Sequence, residues 1–169
     1  MELCKTIALK KLILIRHAKS SWDYNVSDLE RPLSNRGFND AKLMSTILND
    51  FSIKIDGVFS SNAKRTIQTA QIFLKNLTNY KKLFIVESTD LYDFLGENVD
   101  SYIKNLKNDL DTVLVFSHNN SCNNLITKYS GIINKHVPTC GILIFEFDVS
   151  LWSEVKSGNC KYYFPKNFK

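Results

Sequence analysis

Four short apolar runs, each followed by polar or helix-periodic sequence, restrict the fold of this chain more than any other feature. Leu12-Ile13-Leu14-Ile15, Val58-Phe59, Leu83-Phe84-Ile85-Val86 and Val113-Leu114-Val115-Phe116 are apolar at consecutive positions. Unbroken runs of this length suit strands buried on both faces. After Ser34, which can cap a helix, Ala41, Met44, Ile47, Leu48 and Phe51 recur at helical spacing and predict an amphipathic helix over 35–50. Asn62 can cap a second helix with Ala63, Ile67, Ala70 and Leu74 on one face. Shorter helices are expected over 98–108 and 119–129, the latter turning Leu125, Ile126 and Tyr129 inward. Strands and helices alternating at these lengths imply βαβ units, hence an α/β fold with a mostly parallel sheet and helices on both faces. Residues 141–147 and the tail around Tyr162-Tyr163-Phe164 come without a long crossover, so an antiparallel strand is expected at one edge.

The 169 residues are 44% hydrophobic, and a domain of this size buries roughly 70% of the surface its unfolded chain exposes. No Gly/Ser/Pro-rich stretch or repeat divides the sequence, so residues 1–169 read as one domain. The net charge of +5 favours anionic ligands without naming one. Cys4, Cys122, Cys140 and Cys160 form no Cys-x-x-Cys pair and no His/Cys metal spacing, so no metal or other cofactor is expected. Lys10-Lys11 interrupts the Ile7-Ala8-Leu9 stretch, leaving no signal-peptide core, and no run approaches the ~20 apolar residues of a membrane span. The expectation is a cytoplasmic monomer with reduced thiols and no membrane or nucleic-acid partner. Its Lys-, Asn- and Ile-rich composition suggests an AT-rich bacterial genome.

The polar residues at the ends of these runs carry the chemistry. The first run ends in Arg16-His17, the second leads through Ser60-Ser61-Asn62 to Arg65, and the last leads through Ser117 to His118. Ligands of open α/β sheets bind outside the carboxyl ends of the strands. If these strands are neighbours, two arginines and two of the chain's three histidines converge on one spot. Each residue alone has an ordinary structural explanation: a salt-bridged arginine, a helix-capping imidazole, a solvated side chain. Arg65, however, stands in the first turn of its helix, where a cation opposes the helix dipole and calls for an anion nearby. Guanidinium forks match pairs of phosphoryl oxygens. Adjacent cations would lower the pKa of His17 and keep its ring neutral and nucleophilic. His136 lies beside Val137-Pro138 and is assigned no role.

Taken in order, Leu14-Ile15-Arg16-His17-Ala18-Lys19-Ser20, Arg31-Pro32-Leu33-Ser34 with Gly37, Ser60-Ser61 with Arg65-Thr66-x-Gln68-Thr69-Ala70, and Val115-Phe116-Ser117-His118-Asn119 resemble the histidine phosphatase superfamily, over about residues 11–147. The Arg-His-Ala-Lys-Ser and Arg-Pro-Leu-Ser segments look most like its SixA-type phosphohistidine phosphatases; Ala18, where many members have glycine, is familiar in that branch. The resemblance implies a three-layer α/β/α sandwich. It also implies that His17 is transiently phosphorylated while Arg16, Arg65 and His118 hold the phosphoryl oxygens, with no metal required. Asp93, in Leu91-Tyr92-Asp93, sits where larger members carry an acidic proton donor and is the candidate for that role, although a solvated loop aspartate is an equal reading. The implied substrate is a phosphohistidine on a partner protein, because no long insertion is present to close over a metabolite. A small-molecule phosphomonoesterase or mutase, or a non-catalytic phosphate-binding module, is the alternative.

Overall fold

The computed structural model describes residues 9–78 and 80–169; Cys4, Ile7 and Ala8 lie outside them. Six strands, β1 (Lys10–Arg16), β2 (Gly57–Ser61), β3 (Ile85–Ser88), β4 (Thr112–Ser117), β5 (Ile142–Phe147) and β6 (Asn159–Tyr163), form one sheet in the order β3-β2-β4-β1-β5-β6. The helices are α1 (Asn35–Asp50), α2 (Lys64–Asn76), α3 (Glu97–Lys104) and α4 (Asn119–Ser130). β1, β2, β3 and β4 run parallel, whereas β5 is antiparallel to both β1 and β6. The reversal therefore sits one strand inside the edge.

The unbroken apolar character of β1 is explained by its surroundings. Leu12 and Leu14 pack with Val99 and Ile103 of α3 and Leu125 and Ile126 of α4. Ile13 and Ile15 pack with Ala41, Met44 and Leu48 of α1 and Ala70 and Phe73 of α2. All four side chains of 12–15 are fully buried, each contributing roughly 1.5–3 kcal/mol. α1 leads from β1 past β4 to β2 on one face, and α4 leads from β4 past β1 to β5 on the other. The carboxyl ends of β1 and β4 therefore flank a topological switch point, where α/β sheets open a crevice.

α1 spans the predicted residues, capped by the Ser34 hydroxyl, which accepts from the Gly37 amide at 3.1 Å. The α2 cap differs from expectation. Ala63, not Asn62, is the N-cap, and it makes no side-chain hydrogen bond. The side chain that accepts from an amide there is Ser61, whose hydroxyl takes the Ala63 N–H at 3.3 Å, while the Thr66 hydroxyl donates back to the carbonyls of Ser61 and Ala63. β3 starts two residues later than its apolar run, leaving Phe84 exposed.

Candidate active site

The register Arg16↔Ser117 places the ends of β1 and β4 side by side, and the His17 amide donates to the Ser117 carbonyl at 3.0 Å. His17 and His118 thus leave adjacent strands at one level, their ring centroids 5.3 Å apart. The chain after His17 is held from two sides. On one, Thr69 of α2 accepts from the Ala18 amide at 3.1 Å while donating to the Arg65 carbonyl at 2.7 Å. On the other, the amide and hydroxyl of Ser34 both donate to the Lys19 carbonyl, and Gln68 accepts from the Leu33 amide. A Cβ on Gly37 would lie 2.1 Å from that Lys19 oxygen, so glycine is what lets the start of α1 approach the loop. The Arg-Pro-Leu-Ser-x-x-Gly and Arg-Thr-x-Gln-Thr segments are the two jaws that position Arg16-His17-Ala18.

The resulting cleft of about 230 Å³ is lined by Arg16, His17, Lys19, Arg31, Arg65 and Asp28, among others. His17 Nδ1 lies 2.8 Å from the Ala18 carbonyl, which can only accept, so the proton belongs on Nδ1. Nε2 then carries the lone pair, and it accepts from Arg65 Nε at 3.3 Å. Burial is the largest cause lowering the His17 pKa well below its ordinary value; the charges of His118, Arg65 and Arg16 add to it against the Ala18 hydrogen bond. Neighbouring cations, the cause expected from the sequence, are the smaller one.

Arg65 is fully buried and divides its donors among three partners. Nη1 donates to the Asp28 carbonyl, and Nη2 donates both to the Asp28 carboxylate at 2.8 Å and to His118 Nδ1 at 3.3 Å. The anion demanded by an arginine in the first turn of a helix is therefore supplied by Asp28. This residue is not among those predicted from the sequence, because it sits in a polar loop 37 positions from its partner. Asp28 also bonds Arg31 Nε at 3.0 Å and accepts from the Tyr92 hydroxyl at 2.6 Å. Partial burial opposes ionisation, but Tyr92, Arg65 and Arg31 together lower its pKa to about 2. The only signal for it in the sequence is that Asp28 stands three residues before Arg31.

Arg16 donates Nη1 to the Val137 carbonyl at 2.8 Å, while its Nε is buried with no partner. Such a donor is costly unless something meets it. His118 is fully buried behind the cleft wall, with its Nδ1 toward Arg65 and its Nε2 donating to the Ser61 hydroxyl at 2.9 Å. Tyr92 and Phe94 lie against its ring, at 5.1 and 4.9 Å. Asp93 is not brought into the cleft. Its carboxylate accepts the amides of Leu95, Gly96, Asn98 and Val99, capping the turn into α3. His136 is away from the cleft.

Cys122 and Cys140 are buried and Cys160 is half-buried, all three unpaired, and burial raises the Cys122 thiol to about 12. Among the described residues no group of His, Cys, Asp and Glu is arranged to hold a metal ion, and no helix is long and apolar enough to cross a membrane.

Burial, with the Arg65 charge second, lowers the His118 pKa from 6.5 to about 3. The unfolded chain takes up that proton below pH 6.5 and the folded one only near 3, so folding stability falls as pH drops through this window. One such group costs about 1.4 kcal/mol per pH unit. Urea titrations should show a lower midpoint at about pH 5 than at about pH 7, and a smaller fall in His118→Gln. Equal falls in the two proteins would contradict the assignment.

The family model described as the histidine phosphatase superfamily (branch 1) matches residues 12–92, a stretch that contains Arg16, His17, Asp28 and Arg65. Over that stretch, just under half of its length, the chain is similar to this superfamily. His118 lies beyond the matched stretch and is brought to Arg16, His17 and Arg65 by the β1–β4 pairing. Among relatives, an uncharacterised chloroplast protein of Arabidopsis thaliana is 26% identical over 153 residues, covering 86% of this chain and 70% of that protein. The solved protein histidine phosphatase SixA complexed with tungstate superimposes with a TM-score of 0.74 at 24% identity, covering 94% of this chain and 99% of that one. Phosphoglycerate mutase from Bacillus anthracis gives 0.64 at 17% identity, with 92% of both chains covered. At such identities the two solved structures show a shared fold.

Proposed function

We propose that the protein is a phosphatase that passes a phosphoryl group through His17 and that its substrate is a phosphohistidine on a protein. The observation that carries this reading is the neutral His17 ring, its Nε2 lone pair held beside Arg65 in a cleft that Arg16, Lys19 and Arg31 make cationic. In the first step Nε2 attacks phosphorus, the bond to the leaving group breaks, and the leaving imidazole takes up a proton. In the second, water attacks the phosphohistidine, releasing phosphate and restoring His17. Arg16 meets the incoming anion through its unpartnered Nε, and Arg65 through the two Nη groups that donate to Asp28. A phosphoryl dianion favours protonation of nearby groups. His118 can thereby gain a proton on Nδ1 and become a donor to a phosphoryl oxygen. Most of the rate enhancement comes from positioning and from stabilising charge on the equatorial oxygens.

We place the proton donor at Asp28 rather than Asp93, because Asp28 is the carboxylate that reaches the cleft. Its low pKa depends on its Tyr92 and Arg65 partners, and a phosphoryl dianion that takes Arg65 and adds negative charge nearby raises it. Asp28→Asn should slow hydrolysis of an alkyl phosphate about 10²-fold or more, the usual worth of general acid catalysis. A phosphoramidate, whose protonated imidazole leaves readily, should lose less than about tenfold in steady-state turnover. Equal losses on both would exclude Asp28 as the donor.

The protein-substrate reading is supported by connections that build β3, α3 and β4 between α2 and α4 rather than a cover over the cleft. A carboxylate at the cleft also favours a second reading, a phosphomonoesterase of small molecules, whose poor leaving groups need an acid. Side-by-side kcat/KM values for a phosphohistidine peptide and a panel of phosphorylated metabolites decide between them. A metabolite favoured over the peptide would reverse the order.

A further inference from the structure

Twelve large apolar side chains are exposed among the described residues, and five of them, Trp22, Tyr24, Val26, Phe94 and Leu95, stand on the two loops that contribute Trp22 and Phe94 to the cleft lining. Isolated exposed apolar groups are ordinary; a gathered set is not. Trp22 and Phe94 line the cleft itself. Tyr24 and Val26 belong to the loop between two cleft-lining residues, Trp22 and Asp28, and Leu95 adjoins Phe94.

Polar contacts hold both loops in place. Ser20 bridges Leu33, the Ser21 amide donates to the Pro32 carbonyl at 2.9 Å, and Trp22 lies over the Arg31 guanidinium at 3.6 Å. Across the cleft, the Leu95 amide donates to Asp93 at 2.8 Å and its carbonyl accepts from Asn124 at 2.7 Å. Phe94 is propped by the Tyr92 and His118 rings. These anchors keep apolar side chains in water, 74% exposed at Trp22 and 67% at Leu95, where each gains nothing until something covers it.

We propose that the two loops form a docking collar for apolar residues flanking the phosphorylated side chain of a protein substrate. This rests on the phosphatase reading above and names how its substrate is recognised. The collar is continuous with a cationic cleft, so its occupant presents an anion at the centre with apolar groups around it, matching this surface in charge and in polarity. Tyr24, Val26 and Leu95 are not among the lining residues of the cleft of about 230 Å³, so a metabolite held within it does not touch them. A protein surface does. Rigid aromatic and aliphatic anchors around a charged centre are where interface energy concentrates.

The test combines Tyr24→Ser, Val26→Ser and Leu95→Ser, three positions outside the cleft lining. Probes are free phosphohistidine and two peptides carrying phosphohistidine, one flanked by leucines and one by serines, read by binding anisotropy and by phosphate release. The wild-type protein should bind the leucine-flanked peptide at least about tenfold more tightly. The triple variant should lose that preference while kcat/KM on free phosphohistidine stays unchanged. No preference in the wild type, or a preference surviving in the variant, overturns the collar. So does collar-dependent binding to phosphatidylglycerol vesicles without peptide preference, which would assign the loops to a membrane surface. Collar-dependent binding without phosphate release would instead sink the phosphatase reading and leave the docking surface standing.

Discussion

His17→Ala is expected to abolish acid-labile phosphate on the protein and to lower turnover by about 10⁴-fold or more, the scale on which loss of a nucleophile registers. The expectation rests on the tautomer. The Ala18 carbonyl fixes the proton on Nδ1, so Nε2 is the free lone pair, and it faces Arg65 rather than solvent. His118, the other imidazole nearby, cannot substitute. It is fully buried, and both of its ring nitrogens face protein partners. His17→Asn provides a second test with a polar side chain of similar reach, should alanine disturb the loop. The measurement is a short incubation with a radiolabelled phosphohistidine peptide, quenched in alkali and repeated in acid, alongside steady-state turnover. Near-normal hydrolysis in either variant would end the covalent mechanism.

Arg65→Ala should lower kcat by about 10²–10³, typical for removing one preorganised donor from a developing charge, and Arg65→Lys should recover little of it. A guanidinium reaches Asp28, His17 and His118 together because its three nitrogens are fixed in one plane. An ammonium on a flexible stem cannot satisfy that geometry. Asp28 should report the loss independently. Without its Arg65 partner, its carboxyl should titrate above the value of about 2 it has now, by carbon-detected NMR. Arg65→Lys retaining more than half of wild-type kcat would show that charge alone suffices. Combined with His17→Ala, the Arg65 loss should not add, since both groups serve the same transfer.

The course of the backbone is largely legible in the sequence. α1 lies where Ser34 and the helical spacing put it, and the runs at 12–15 and 113–116 are the two central strands. Such signals arise between neighbours along the chain. The convergence of Arg16, His17 and Arg65 at the cleft, with His118 directly behind, is a consequence of β1, β2 and β4 being parallel neighbours. Less is visible where a partner lies far off in sequence. Asn62 has the right chemistry for a cap, yet the Ser61 hydroxyl accepts from the Ala63 amide while the Asn62 Oδ1 is left without a partner. Phe84 belongs to an apolar run, yet β2 pairs only with residues from Ile85 onward.

The two carboxylates show the division most clearly. Asp93 and Asp28 are both loop aspartates, and nothing local separates one that could donate a proton from one that only caps a helix. Four amides converge on Asp93 because the chain turns into α3 there. Arg65, Arg31 and Tyr92 converge on Asp28 because α2 begins beside the loop after β1 and the connection after β3. Residue order alone decided which segments become strands and helices and which cations stand at their ends, since those depend on periodicity and caps within a few positions. Which acid faces the cleft, and which imidazole nitrogen is left bare, depended on contacts made across the sheet, because the energy of a charge or a proton is set by whatever lies within a few ångströms in space.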